Sequence, residues 1–174
     1  DAPVSGGVKG AEEAGLTFMV GGPDEGFTKA QDLFDIMGQK AVHCGESGNG
    51  QSAKICNNML LGISMIGTAE AFNLAENLGL DAQTFFDISS TASGQCWSMT
   101  SYCPVPGPVP SSPANNNYEP GFASALMLKD LRLSQEAARM TSSTTPLGAN
   151  ATSIYEENEK IGHDGIDISG VIKI

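Results

Sequence analysis

Lys54 and Asn58 stand four residues apart in a proline-free stretch from Gln51 to Gly79, so a helix there carries both on one face. Lys54 falls in the opening turns of that helix, where the positive end of the dipole disfavours a cation. Its apolar neighbours Ile55, Cys56 and Met59 add desolvation of the same sign. Both effects favour the neutral amine, the form that takes a proton from an alcohol in general base catalysis. The other reading of Lys54 is a surface lysine that lays its stem along apolar neighbours.

Four further features could carry chemistry. Ser5-Gly6-Gly7 follows a short apolar run and offers a hydroxyl and successive backbone N–H groups, either as a seat for a carboxylate or as a plain tight turn. Gly45 to Ser52 connects a strand to a helix and has the glycine spacing of a phosphate-binding loop. Gln51 stands where that loop needs its lysine, however, so a triphosphate loses its main contact. The glycines are also out of order for the dinucleotide fingerprint, which leaves a loop that uses glycine to start a long helix close to a sheet. Lys129-Asp130 interrupts an otherwise apolar run and reads as a basic feature or as a salt bridge on an exposed face. Trp97, the single tryptophan, reads as core or as one wall of a small-substrate pocket.

The elements that must hold these residues follow from apolar periodicity and turn chemistry. Val4 ends a first strand, and Leu16–Val20 is a second, closed by Gly21-Gly22-Pro23. Phe27, Ala30, Leu33, Phe34 and Met37 have helical spacing, Gly38 ends that helix, and Ala41–Cys44 reads as a third strand. Three short strands and a helix make one edge of an α/β sheet. Gln51–Gly79 is then one helix of 29 residues, about 43 Å long. It is apolar on nearly every side from Met59 to Ala71, which predicts burial all round, by other helices or by a second copy of the chain. Asp81 caps a helix running to about Thr91. A loop with six prolines spans Cys103–Pro120, and helices follow over Phe122–Met140 and Pro146–Lys160. The acidic stretch Glu156–Asp167 reads as a solvated face plus a turn, and Asp167-Ile168-Ser169 as the start of a last helix that Ile174 cuts short. The expected fold is therefore an α+β fragment: the edge of a Rossmann-type sheet over 1–47, then an all-α domain with one long central helix over 48–174.

Composition narrows the partners. Nine Lys and Arg against twenty Asp and Glu give a net charge of −11, spread along the chain, which argues against nucleic acid or an anionic membrane as a partner. The longest uncharged run inside an apolar stretch, Ile55–Ala69, falls short of the ~20 residues of a membrane span. Cys44, Cys56, Cys96 and Cys103 form no CxxC pair, and His43 and His163 lie far apart, so no metal site is expected. Four thiols in 174 residues are too few for a disulfide scaffold; they read as core fillers in a reducing compartment.

Asp1-Ala2-Pro3-Val4-Ser5-Gly6-Gly7, Gly48 to Asn58, Ser93 to Trp97, Tyr102 to Gly107 and Lys129-Asp130-Leu131 together resemble the β-hydroxyacid dehydrogenase family, in the family's order and spacing. The resemblance implies reversible NAD-dependent oxidation of a small 3-hydroxy acid, with NAD bound mainly by a domain that this sequence does not include. It puts Ser5, Gly6 and Gly7 where the family holds the substrate carboxylate. Lys54 falls on the catalytic lysine, and Asn58 on the asparagine that orients substrate beside it. Phe122, Lys129 and Asp130 fall in the segment that closes over the nicotinamide end of the cofactor. It also implies a homodimer or higher homo-oligomer through the helical domain. The compartment it implies is the mitochondrial matrix in a eukaryote and the cytoplasm otherwise.

One departure stands beside the match. The family's GxGxxG strand–turn and the acidic residue that selects NAD are absent, so the chain reads as the C-terminal part of the enzyme, with little or no activity alone. The competing readings are a non-enzymatic helical dimerisation module, a nucleoside triphosphate binder, and a reductase of glyoxylate or a semialdehyde within the same family.

Overall fold

The computed structural model describes residues 1–173. It contains two compact units, Asp1–Asn58 and the chain from Met59 onward.

The first unit is built on a three-stranded sheet in the order β1 (Val4–Ser5), β2 (Leu16–Val20), β3 (Gly38–His43). β1 and β2 are antiparallel with Val4 opposite Phe18, and β2 and β3 are parallel with Val20 opposite His43. A short helix that periodicity does not reveal, α1 (Gly7–Glu12), joins the first two strands; Gly7 and Gly10 mask its signal. The crossover between the parallel strands is α2 (Asp24–Met37). It starts three residues earlier than the apolar spacing predicts, because Asp24 and Glu25 suit the positive end of the helix and Pro23 precedes them.

Gly38 ends α2 as expected but also opens β3, with no loop between. A Cβ there would strike the Leu16 carbonyl and approach the Phe18 ring to 2.8 Å, so only glycine lets helix turn into strand against β2. Phe18, Val20 and Phe34 form the core of this unit, with the Phe18 and Phe34 rings 4.9 Å apart. His43 is pinned from both ring nitrogens, Nε2 to the Gly22 carbonyl at 2.6 Å and Nδ1 to Asp24 at 3.2 Å, and stacks on Phe27.

The long helix is α3 (Asn49–Asn77). From Met59 onward it packs Met65, Ile66 and Ala69 against Met127, Leu128 and Leu131 of α6 (Ser124–Met140) and against Ala151 and Tyr155 of α7 (Pro146–Lys160). Gly62 allows the close approach of α3 and α6: a Cβ there would lie 3.0 Å from Leu131 Cδ2 and 3.2 Å from Met127 Sδ. A smaller cluster of Phe72, Met99, Cys103 and Val109 joins α4 (Ala82–Ser89) and α5 (Trp97–Thr100) to the helical unit. Asp81 caps α4 as expected, its side chain accepting from the Thr84 amide at 3.0 Å. The proline-rich loop is ordered by its own polar groups. Ser112 Oγ donates to the Cys103 carbonyl, and the Tyr118 hydroxyl donates to that of Pro104.

Several expectations need correcting. Within a single copy the long helix is covered on one side only: Leu60 and Leu74 are 62% and 61% exposed, so the other helices of the chain do not wrap it. Trp97 is no core residue; it is 51% exposed and stacks on Tyr102 with ring centroids 4.8 Å apart. Of the four cysteines, all free thiols, only Cys103 is buried, and Cys56 is exposed. The acidic stretch to Asp167 is not wholly solvated, since Asp167 is completely buried. The last helix is a 3-10 turn over Ile168–Lys173, and Ile174 lies outside the described residues. No helix among the described residues is long and apolar enough to cross a membrane.

Candidate functional site

In the first unit the chain brings Lys54 to the strand end that carries Ser5. Lys54 Nζ donates to the Val4 carbonyl at 2.6 Å, across fifty positions of sequence. Val4 immediately precedes Ser5-Gly6-Gly7, which leaves β1 with φ of 140° at Gly6 and 63° at Gly7, the left-handed side that glycine tolerates. The ammonium is thus held one residue from the turn and is half-buried. Asn58 lies one turn further along α3, buried, with Oδ1 accepting from Asn57 Nδ2 at 3.0 Å.

The position of Lys54 depends on how α3 begins, and here sequence reading missed Asp1. Its carboxylate accepts from the Gly48 amide at 2.7 Å through Oδ1 and from the Gln51 amide at 2.9 Å through Oδ2. An anion at a helix N-terminus is favoured by the dipole and by the unpaired N–H groups there. Asp1 is itself tied to Gly21, its main-chain nitrogen donating to the Gly21 carbonyl at 3.0 Å and its carbonyl accepting from the Gly21 amide at 2.8 Å. Gly50 then packs against the sheet with no space for a side chain: a Cβ would strike the Met19 carbonyl and come within 2.8 Å of Asp1 Oδ2. The glycine-rich loop therefore serves close docking of helix on sheet. The anion seat that a triphosphate would need at Gly48 and Gln51 is filled by a carboxylate of the chain itself.

In the second unit Phe122 is half-buried and packs at the edge of the main core, just before α6. Lys129 and Asp130 form an ion pair of 2.7 Å, with Lys129 60% exposed and Asp130 9%. The salt bridge read from the sequence is present, but only its lysine end faces solvent, because α6 turns Asp130 toward the protein. Sequence reading also missed the polar centre below Phe122. Asp167 Oδ2 accepts from the Tyr102 hydroxyl at 2.8 Å and from the amides of Gly121 and Phe122, both at 3.0 Å. Its Oδ1 accepts from Ser169 Oγ at 2.7 Å and the Ser169 amide at 2.9 Å. Burial first, then the Asp167 charge, pushes the Tyr102 phenol far above its ordinary pKa, so it stays a donor; Tyr155 is raised by the same causes. A weak signal for this centre was readable: an Asp two residues before a Ser, inside an otherwise apolar ending.

Comparison with known proteins identifies the family. Residues 48–174 match the family described as NAD-binding of NADP-dependent 3-hydroxyisobutyrate dehydrogenase. Residues 1–45 match the NAD binding domain of 6-phosphogluconate dehydrogenase. The probable 3-hydroxyisobutyrate dehydrogenase of Mycobacterium tuberculosis is 52% identical over 172 residues, which is 99% of this chain and 58% of that protein. The mitochondrial 3-hydroxyisobutyrate dehydrogenase of Homo sapiens is 51% identical over 173 residues, 99% of this chain and 52% of that protein. The chain thus spans a little over half the length of these relatives. Among solved structures, the Mycobacterium tuberculosis 3-hydroxyisobutyrate dehydrogenase with L-serine aligns with a TM-score of 0.93 at 52% identity, covering 99% of this chain and 59% of that one. The 3-hydroxyisobutyrate dehydrogenase of Salmonella typhimurium gives 0.86 at 27% identity, again over 99% of this chain and 59% of that one. The Rossmann-type sheet edge, the helical unit that follows it in sequence and relatives half-identical along nearly the whole chain make this sequence a member of the β-hydroxyacid dehydrogenase family, in its 3-hydroxyisobutyrate dehydrogenase branch.

Proposed function

We propose that this chain is the C-terminal part of an NAD-dependent 3-hydroxyisobutyrate dehydrogenase, oxidising 3-hydroxyisobutyrate to methylmalonate semialdehyde in valine breakdown. Residues 1–47 would be the end of its cofactor domain and 48–174 its helical substrate domain. The observation that carries the reading is the hydrogen bond from Lys54 Nζ to the Val4 carbonyl, 2.6 Å, which holds an amine beside a hydroxyl- and amide-rich turn. In this reading Ser5, Gly6 and Gly7 bind the substrate carboxylate, Asn58 orients the substrate, and neutral Lys54 takes the hydroxyl proton. Returned to its ammonium, Lys54 gives the proton back in reduction.

NAD, when bound, supplies the hydride acceptor. The residues present suit its nicotinamide end. Phe122 offers a ring face, and the exposed Lys129 ammonium has further N–H donors beyond the one that Asp130 takes. Asp130 keeps that cation in place.

The test is made on protein from its native source. Its intact mass is expected to exceed 18.0 kDa by on the order of 15 kDa, about one further domain. That protein should oxidise 3-hydroxyisobutyrate in preference to glycerate, glycolate and 4-hydroxybutyrate. The pure 174-residue chain is expected to show little or no turnover. Robust turnover by the short chain alone, or a native mass of 18.0 kDa, defeats the reading.

The partner we propose is a second copy of the chain. Leu60, Gly67 and Leu74 recur every seven residues along the uncovered side of α3, a line that a copy of the same helix can meet. Sedimentation should give a dimer or larger at micromolar concentration, and Leu60→Glu should shift it to monomer. A monomeric parent protein rejects this partner.

A further inference from the structure

Asp167 is a carboxylate with no exposed surface, and among the described residues no Lys, Arg or His forms an ion pair with it. Its charge is met by five N–H and O–H donors instead, which places it among the hydrogen-bonded buried carboxylates that cost much if one donor is misplaced. Those donors come from three separate segments. Gly121 and Phe122 lead into α6, Tyr102 follows α5, and Ser169 begins the last 3-10 turn.

The clamp on Phe122 is two-sided. Its amide donates to Asp167 Oδ2 at 3.0 Å, and its carbonyl accepts from the Ile168 amide at 2.9 Å. The same strand-like contact continues into the helix. Ala123 bridges Asp167, the Ser124 amide donates to the Ile166 carbonyl at 2.8 Å, and the Ala125 amide to that of Asp164 at 2.9 Å. No side chain caps α6, so this segment replaces the cap and sets where the helix starts. Lys129 and Asp130 sit on the first two turns of α6 and inherit that setting. On its other side, the Tyr102 ring that Asp167 holds by the hydroxyl is the surface on which exposed Trp97 stacks. Gly121 fits against the Tyr102 hydroxyl and Asp167 only as glycine, since a Cβ would lie 2.6 Å from that hydroxyl.

We infer that Asp167 is a positioning residue for cofactor binding: by gathering the Gly121 and Phe122 amides and the Tyr102 hydroxyl onto one carboxylate, it sets Phe122, the start of α6 with Lys129, and the Tyr102–Trp97 stack as one piece. The inference rests on the proposed role of Phe122 and Lys129 toward NAD. A carboxylate that served only to hold the fold together would lower the amount of active protein without favouring one ligand over another.

The test uses the full-length enzyme, labelled with fluorotryptophan and assigned by loss of one resonance in Trp97→Phe. Asp167→Asn keeps the shape but turns a donor toward donors. It is expected to move the Trp97 resonance and to raise the KM for NAD by about tenfold or more, the value of one or two hydrogen bonds to a charged group. The KM for the hydroxy acid at saturating NAD should stay within about twofold, since its contacts lie on other residues. Asp32→Asn, at an exposed carboxylate of α2, should change neither.

If Asp167→Asn does not fold, Tyr102→Phe and Gly121→Ala decide. Each disturbs one arm of the centre and leaves the carboxylate, and each should move the Trp97 resonance and raise the KM for NAD about threefold. An unchanged KM for NAD in the folded variants overturns the inference, whether or not the Trp97 resonance moves. A parent enzyme that does not oxidise hydroxy acids at all refutes the functional reading first, and this one with it. Normal parent turnover with an unmoved KM in the variants refutes only the role of Asp167.

Discussion

Lys54→Ala in the full-length enzyme should lower kcat by roughly three orders of magnitude, within the range general acid–base catalysis contributes, while NAD binding is retained. Among the described residues Lys54 Nζ bonds to the Val4 carbonyl, so its removal leaves that carbonyl unpaired at a half-buried, solvent-reachable place. The fold should therefore tolerate the change. Lys54→Arg separates charge from proton transfer. A guanidinium keeps the positive charge and hydrogen-bonding capacity but does not deprotonate in proteins, so it cannot accept the hydroxyl proton. Single-turnover formation of NADH under saturating substrate checks both variants. If Lys54→Arg retains activity within about tenfold of the parent, Lys54 is a positional cation and not the base.

Gly50→Ala should cost about 3 kcal/mol, at the upper end of overpacking, and should lower activity with it. The reason is what surrounds the added methyl. The Met19 carbonyl, the Gly21 amide at 3.0 Å and Asp1 Oδ2 at 2.8 Å are a strand, its continuation and a carboxylate already held by two amides. None is the loose end of a long side chain, so α3 must lift from the sheet. Lifting it withdraws Lys54 from Val4. The same substitution at Gly67 meets nothing within 4 Å and sits inside the helix. There it should stabilise the isolated chain by about 0.5–1 kcal/mol through helix propensity. Urea melts of the two variants check the pair. Equal effects at both positions would mean that helix propensity, and not docking on the sheet, sets the requirement for glycine at Gly50.

Elements were legible where their cause is local. Pro146 at a first turn marks α7, and the range read for it, Pro146–Lys160, is the one it has in the structure. Asp81 before α4 and the apolar, β-prone run Leu16–Val20 are likewise statements about neighbouring residues. α1 was invisible because two of its six residues are glycine, and α5 because four residues, Trp97–Thr100, are too few for a period. The candidate residues Ser5, Lys54 and Lys129 could be marked by type and position. What each touches could not, because hydrogen bonds such as Lys54 to Val4 join residues fifty positions apart.

The sequence by itself determined that the chain is acidic, that a sheet edge precedes a helical unit, and that a lysine opens the longest helix. Apolar period, capping residues and charge suffice for these, since each acts within a turn or two of itself. Tertiary structure alone decided the rest. It put the Asp1 carboxylate at the start of α3, left one side of that helix open, and buried Asp167. An acidic residue prefers water unless a set of donors converges on it. Convergence of Tyr102, Gly121, Phe122 and Ser169 on one carboxylate exists only once the elements have packed.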